Sequence, residues 1–322
     1  MSKVQLDNLL RPKKWEDYIG QELIKKNLDI LLSAAKKRGH VPEHILFYGP
    51  PGLGKTTLSY LIAHQIGANI KITSGPAIEK VGDLASILSN LNEGDILFID
   101  EVHQLNKNIE EVLYPAMENG SLDIIVGKGP SARTVQLELP AFTLIAATTK
   151  VSQLSAPLRS RFSGGVFRLE FYTDDELTQI IKNSAAILET PISHDAAFEI
   201  AKRSRYTPRT SNMLLKRSRD LSEIKEKELD LDIVQETLEM IGIDELGLTE
   251  MDRRILKTII EKYDGGPVGL GTIAASLSEE SATIEEVNEP HLLQLGLIKK
   301  TPRGREVTEL AYNHLDIKNL NS

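Results

Sequence analysis

Hydrophobic positions along this chain follow two rhythms, and the change from one to the other divides it. The run HILFY at residues 44–48 is short, apolar and β-prone, and it stops at Gly49-Pro50-Pro51-Gly52. A helical spacing follows from Lys55 to Ile66, so strand, loop and helix succeed one another. Ile96–Ile99 and Thr143–Ala147 are two more compact apolar runs bounded by polar residues, as strands buried on both faces of a parallel sheet tend to be. The first half therefore predicts an α/β domain, a parallel sheet flanked by helices. After Tyr172 the rhythm is helical. TDDELTQIIKNSAAIL sets capping residues ahead of an i, i+3, i+4 apolar spacing, and similar stretches continue to about Ile241. MDRRILKTIIEKY, LGTIAASL and ATIEEVNEPHLLQLG then read as helices, and LIKK and EVTEL as β-like pieces around Thr301-Pro302-Arg303-Gly304-Arg305. Three helices and a two-stranded wing make the winged-helix order, a variant of the helix-turn-helix. The expected modules are an α/β domain over 1–172, a small all-α domain over 173–245 and a winged-helix domain over 246–322.

Length agrees with that division, since 322 residues exceed what one hydrophobic core normally serves. A 41% hydrophobic and 26% charged composition excludes a disordered polyelectrolyte and a membrane protein. The net charge of −8 excludes a chain-wide basic coat for nucleic acid. Counted by module it is +1, −6 and −3, so the acidity lies mainly in the helical middle. Cysteine is absent, which removes disulfides, thiolate metal sites and cysteine nucleophiles together. No apolar stretch approaches the roughly 20 residues of a membrane span, so a soluble cytoplasmic protein is expected.

The chemistry begins at Gly49-Pro50-Pro51-Gly52-Leu53-Gly54-Lys55-Thr56, a full G-x-x-x-x-G-K-[ST] between a predicted strand and a predicted helix. Such a loop curls its N–H groups around phosphate oxygens at a helix N-terminus. Lys55 reaches the β- and γ-phosphates and Thr56 supplies a hydroxyl to Mg²⁺. DILFIDE at residues 95–101 is an apolar strand ending in two acids; Asp100 suits the Mg²⁺ and Glu101 the polarisation of an attacking water. Thr148 and Thr149 end the next strand where a γ-phosphate is sensed, although threonine is also simply a good strand former. Arg159 and Arg161 in LRSRF are either a donor to a γ-phosphate or a solvated pair.

Taken in order, these pieces resemble an AAA+ ATPase, and LRPKKWEDYIGQ, ITSGPAIEKVGDLASIL, DILFIDEVHQLN, EEVLYPAMENGSLDIIVGKGPSAR, LSAPLRSRF and QLGLIKKTPRGR resemble the RuvB family of Holliday junction branch-migration motors. The likeness runs from about Leu10 to Leu315. It implies that Leu10, Arg11 and Ile19 cover the adenine, that Tyr172 flanks the nucleotide, and that Gly52, Lys55, Thr56 and Thr57 form the phosphate loop. Thr148 or Thr149 falls on the first sensor, Arg161 on the arginine finger that reaches a neighbouring subunit's ATP, and Arg209 on the second sensor. Asn119, Gly120 and Ser121 match a stretch near the nucleotide across the subunit boundary. The resemblance further implies a homohexameric ring around duplex DNA, a junction held by RuvA and later cut by RuvC, and a RuvA-binding β-hairpin over 124–137. From its own texture that hairpin either projects or packs on its own core.

Lys299, Lys300, Arg303 and Arg305 set four cations in seven residues with no acid among them. The family places Lys300 and Arg305 near DNA phosphates, contacts that would be sequence-independent and salt-sensitive. The chain departs from the family's pattern in three places: Ala146 and Lys150 stand around the first sensor in place of glycine and arginine, Ser163-Gly164-Gly165 makes the segment after Arg161 one residue longer, and Tyr206 replaces a glycine before the second sensor. Two other readings fit parts of the sequence: a clamp-loader-like subunit, which commonly carries a helical collar rather than a winged helix, and a winged-helix regulator with an ATPase sensor.

Overall fold

The computed structural model describes residues 9–126 and 133–318, and divides into two compact units, Met1–Tyr172 and Thr173–Ser322. In the first unit, α1 (Glu22–Arg38) is followed by β1 (Ile45–Tyr48), α2 (Lys55–Ile66), β2 (Ile70–Ser74), α3 (Val81–Ser89), β3 (Ile96–Asp100) and α4 (Lys107–Asn119). A hairpin of β4 (Ser121–Val126) and β5 (Arg133–Glu138) precedes β6 (Thr143–Thr148), α5 (Ala156–Ser160) and β7 (Gly165–Arg168). Five strands pair in parallel in the order β2-β3-β6-β1-β7. The three expected apolar strands are its centre and are buried along nearly their whole length, which is why their sequences run apolar rather than alternate.

The outer strands β2 and β7 were not expected. Their burial is partial or alternating, so neither carries a continuous apolar run. The β4–β5 hairpin runs in antiparallel register from Ser121 opposite Glu138 to Val126 opposite Arg133, slightly longer than the expected 124–137. Its middle, residues 127–132 with Gly127, Gly129 and Pro130, lies outside the described residues.

The second unit opens with α6 (Asp174–Ile187), α7 (His194–Lys202), α8 (Pro208–Lys225) and α9 (Leu231–Met240). Thr173, Ser193, Thr207 and Asp230 cap them, each side chain accepting a backbone N–H of the first turn. Each such cap stabilises by about 1 kcal/mol. Then come α10 (Glu250–Tyr263), α11 (Leu270–Leu277), α12 (Ser281–Thr283), a π-turn at Ile284–Asn288, α13 (Glu289–Gln294), β8 (Ile298–Thr301), β9 (Gly304–Val307) and α14 (Glu309–His314). Ile255, Leu256, Ile259, Ile273, Leu292 and Ala311 share their core. The π-turn stands just ahead of Pro290, whose missing N–H cannot return to the Glu286 carbonyl.

EVTEL is not wholly a strand. Thr308 leaves the ladder, its N–H bonding to the Leu297 carbonyl and its hydroxyl to that of Gly296. Ala311 and Tyr312 are then both buried beside the exposed Leu310, which suits a helical face and not the alternation of a strand. Asp252 joins the two parts of this unit. Its fully buried carboxylate caps α10 through Thr249, accepts from Asn288 Nδ2 at 2.7 Å and pairs with Arg205 from the turn before α8.

In the first unit His44 ties the entry of β1 to its neighbours. Its Nδ1 accepts from the Leu144 N–H at 2.9 Å, so Nε2 carries the proton and donates to the Met117 carbonyl at 3.1 Å. The bond from Leu144 requires a neutral ring, and burial holds its pKa below the ordinary 6.5. The folded state thus binds fewer protons than the unfolded one, and His44's contribution to stability is present above pH 6.5 and lost as pH falls through the folded value. We expect the unfolding midpoint of the wild-type chain to fall more steeply below pH 6.5 than that of His44→Gln. Parallel curves in thermal melts across pH would contradict this role.

Candidate nucleotide site

The loop between β1 and α2 is shaped by two close approaches that only glycine permits. Gly49 has φ 135° and a Cβ there would stand 2.8 Å from the Leu169 carbonyl; Gly54 has φ 96° and a Cβ would meet Tyr18 Oη at 2.9 Å. Gly52 also has positive φ, at 84°. Lys55 opens α2, is buried, and donates from Nζ to the Gly49 and Pro50 carbonyls at 2.8 and 2.9 Å. Thr56 and Thr57 follow in the first turn, where backbone N–H groups and the helix dipole favour an anion.

Strand register brings the other candidates to the same edge. Tyr48 of β1 pairs with Thr148 of β6, and β6 pairs with β3, so the loop, Thr148 and Asp100 follow the carboxyl ends of three adjacent strands. Asp100 Oδ1 accepts the Glu101 N–H at 2.9 Å, which leaves Oδ2 for a cation. The Thr56 hydroxyl and the Asp100 carboxylate are hard oxygen donors of the kind Mg²⁺ takes. Among the described residues there is no cluster of three His, Cys, Asp or Glu, so such an ion would complete its shell with phosphate and water. Glu101 sits in the left-handed region at φ 48°, and its Oε2 accepts from Thr149 Oγ1 at 3.3 Å. Thr148 is fully buried and its Oγ1 accepts the Lys150 N–H at 2.9 Å. That backbone bond is open to any side chain at position 150, so the departure there leaves it intact.

His103 was not anticipated. The 3₁₀ turn Val102–Gln104 folds it back so that Nδ1 lies 3.2 Å from Glu101 Oε2 and 2.9 Å from Thr148 Oγ1. Tyr18 was missed as well. Its hydroxyl and that of Tyr172 are 3.0 Å apart beside the Leu53 carbonyl, to which Tyr172 donates at 3.2 Å. Nothing in the spacing of the sequence marks a pair of rings 154 residues apart.

Leu10 is buried, Ile19 is partly exposed and Arg11 lies over the Tyr60 ring at 5.2 Å. Arg161 turns to α4: its guanidinium lies 4.3 Å over Tyr114, pairs with Glu118 at 3.0 Å and donates to the Pro157 carbonyl at 2.7 Å. The additional residue after it is absorbed by a turn in which the Gly165 N–H bonds to the Phe162 carbonyl, downstream of Arg161 itself. Asn119 and Gly120 end α4, Asn119 exposed and Gly120 at φ 62°, and Ser121 is buried at the start of β4. Arg209 belongs to the second unit, exposed in the first turn of α8. Tyr206 before it adopts φ 57°, the left-handed region a glycine would occupy without strain.

At the wing the picture drawn from adjacent residues changes. Lys299 pairs with Glu306 at 2.9 Å, Lys300 with Glu289 at 3.0 Å, and Arg305 with the buried Glu289. Three of the four cations of the acid-free stretch are therefore matched in space, because α13, the π-turn and β9 bring Glu289, Glu285 and Glu306 against them. Arg303 at the tip is exposed and makes no ion pair among the described residues.

Comparison with known proteins agrees with this arrangement along the whole chain. A model of the Holliday junction DNA helicase RuvB P-loop domain matches residues 10–169, one of the RuvB AAA lid domain 172–244, and one of the RuvB C-terminal winged helix domain 245–316. The Holliday junction branch migration complex subunit RuvB of Dehalococcoides mccartyi (strain CBDB1) is 56% identical over 97% of this chain and 90% of its own length. That of Ligilactobacillus salivarius (strain UCC118) is also 56% identical, over 96% and 92%. The structure of the Thermotoga maritima RuvB Holliday junction branch migration motor superposes with a TM-score of 0.88 at 50% identity, covering 96% of this chain and 99% of that one. This chain belongs to the RuvB family.

Proposed function

We propose that the chain is an ATP-hydrolysing, Mg²⁺-dependent DNA motor that drives Holliday junction branch migration in recombination and repair. It would act as a homohexameric ring together with RuvA, with RuvC cutting the junction afterwards. The observation that carries this reading is the convergence of the phosphate loop, Asp100, Glu101 and Thr148 on the carboxyl ends of three adjacent strands, in a chain that ends in a winged helix. Residues 1–172 serve as the ATPase, 173–245 as the lid and 246–322 as the DNA-binding head.

ATP lies with its phosphates on the N–H groups of Gly52 to Thr57 and on Lys55 Nζ, which exchanges the Gly49 and Pro50 carbonyls for phosphate oxygens. Leu10, Arg11, Ile19 and Tyr172 enclose the base. Thr56 and Asp100 would hold Mg²⁺, which would supply neutralisation of the phosphate charge. Glu101 orients the attacking water and takes its proton. Thr148 and Thr149 register the γ-phosphate, and Arg209, on the lid, keeps the second-sensor role that the family resemblance implies. Arg161 of a neighbouring subunit, beside Asn119 to Ser121, stabilises the charge of the transferring phosphoryl group, so that hydrolysis requires assembly. The exposed Val135 and Leu137 on β5 give the hairpin an apolar face for RuvA.

Three outcomes test this reading. An Arg161→Ala chain should bind ATP normally and lose about a thousandfold of its turnover as a homo-oligomer, measured by phosphate release; retained turnover would sink the finger assignment. Arg303→Ala should weaken DNA binding alike on any sequence and lower the slope of log K against log salt by about one in a fluorescence titration. With a synthetic four-way junction, ATP–Mg²⁺ and the cognate RuvA, the wild-type chain should separate the junction into duplexes; failure alongside healthy ATPase activity would favour a ring-opening switch.

A further inference from the structure

The contacts of Glu101 extend past the residues assigned above. One of its carboxylate oxygens, Oε2, accepts from Thr149 Oγ1 at 3.3 Å and has His103 Nδ1 3.2 Å away. With its proton on Nδ1 the imidazole offers that carboxylate a charge-assisted partner. The same Nδ1 is 2.9 Å from Thr148 Oγ1, so one ring nitrogen stands between the end of β6 and the acid that follows β3. The ring is held in place, with a side chain only 6% exposed, while the Glu101 side chain remains 34% exposed and able to swing. Occupation of Oε2 leaves Oε1 to face a water.

We propose that His103 is a positioning residue that fixes the rotation of the Glu101 carboxylate and couples it to Thr148. This rests on the reading of Glu101 as the acid that activates water. In the reaction the water oxygen bonds to the γ-phosphorus as the bond to the β–γ bridging oxygen breaks, and the water's proton passes to Glu101 Oε1. His103 keeps its own proton throughout and touches neither ATP nor water. A shift of Thr148 on sensing the γ-phosphate moves the acceptor shared by His103, and Glu101 turns with it. Acid and sensor thereby respond as a unit, although their backbones belong to different strands.

Asparagine and glutamine separate this role from simple packing. The Asn amide nitrogen takes the place of Nδ1, whereas that of Gln reaches the place of Nε2. Full-length His103→Ala, His103→Asn and His103→Gln chains are compared for ATP turnover on duplex DNA, for binding of a fluorescent ADP analogue, and for melting temperature. A hydrogen bond to a charged group governs on the order of tenfold to a hundredfold in rate. The expected result is that kcat falls by about that factor in His103→Ala and His103→Gln with KM for ATP and ADP affinity little altered, and that His103→Asn regains most of the loss. Equal turnover in His103→Asn and His103→Ala overturns the proposal, as does wild-type turnover in His103→Ala. Glu101→Gln run alongside keeps the two readings apart. If it still hydrolyses ATP, the assignment of Glu101 fails and takes the proposal with it; if it is inactive while His103→Ala is not, only the role of His103 is lost.

Discussion

Parallel alignment of β3, β6 and β1 is the constraint on which the rest of the first unit depends. Parallel strands joined by crossovers all present their carboxyl ends at one edge, so residues from distant parts of the chain meet there without a long loop. Phosphate loop, acid pair and threonine pair each follow one of these strands. Apolar burial of the three strands keeps the edge in register.

Legibility from sequence followed how local each feature is. The loop at Gly49–Thr56 could be read because contiguous residues determine its backbone and its chemistry. The central strands could be read because complete burial writes an unbroken apolar run, whereas β2 and β7, half-covered at the sheet margins, write no such run. His103 carried no signal, since its partners are assembled only when β3 lies beside β6. Tyr18 and Tyr172 meet through the fold alone, and so do Arg305 and Glu289, where a row of positive residues concealed its own counter-charges. Family resemblance supplied roles for Leu10, Arg11, Arg161 and Arg209 that composition and spacing do not contain.

Arg161 is kept in order by contacts with its own chain. Its planar guanidinium stacks on Tyr114 and pairs with Glu118, which restricts a long and otherwise rotamer-rich side chain.

The ion pairs of the wing bear on how such a head lets go. A protein cation that binds DNA ordinarily gains from counterions that the duplex releases into solution. Lys300 and Arg305, however, already hold carboxylates of their own chain as fixed counterions, and a phosphate reaching them must compete with Glu285 and Glu289. Any hold that these two residues took on a phosphate would then be shallow and quickly reversed. For a machine whose work consists of successive holds on a moving rod, easy detachment is as necessary as attachment, and a head that clung harder would act as a brake.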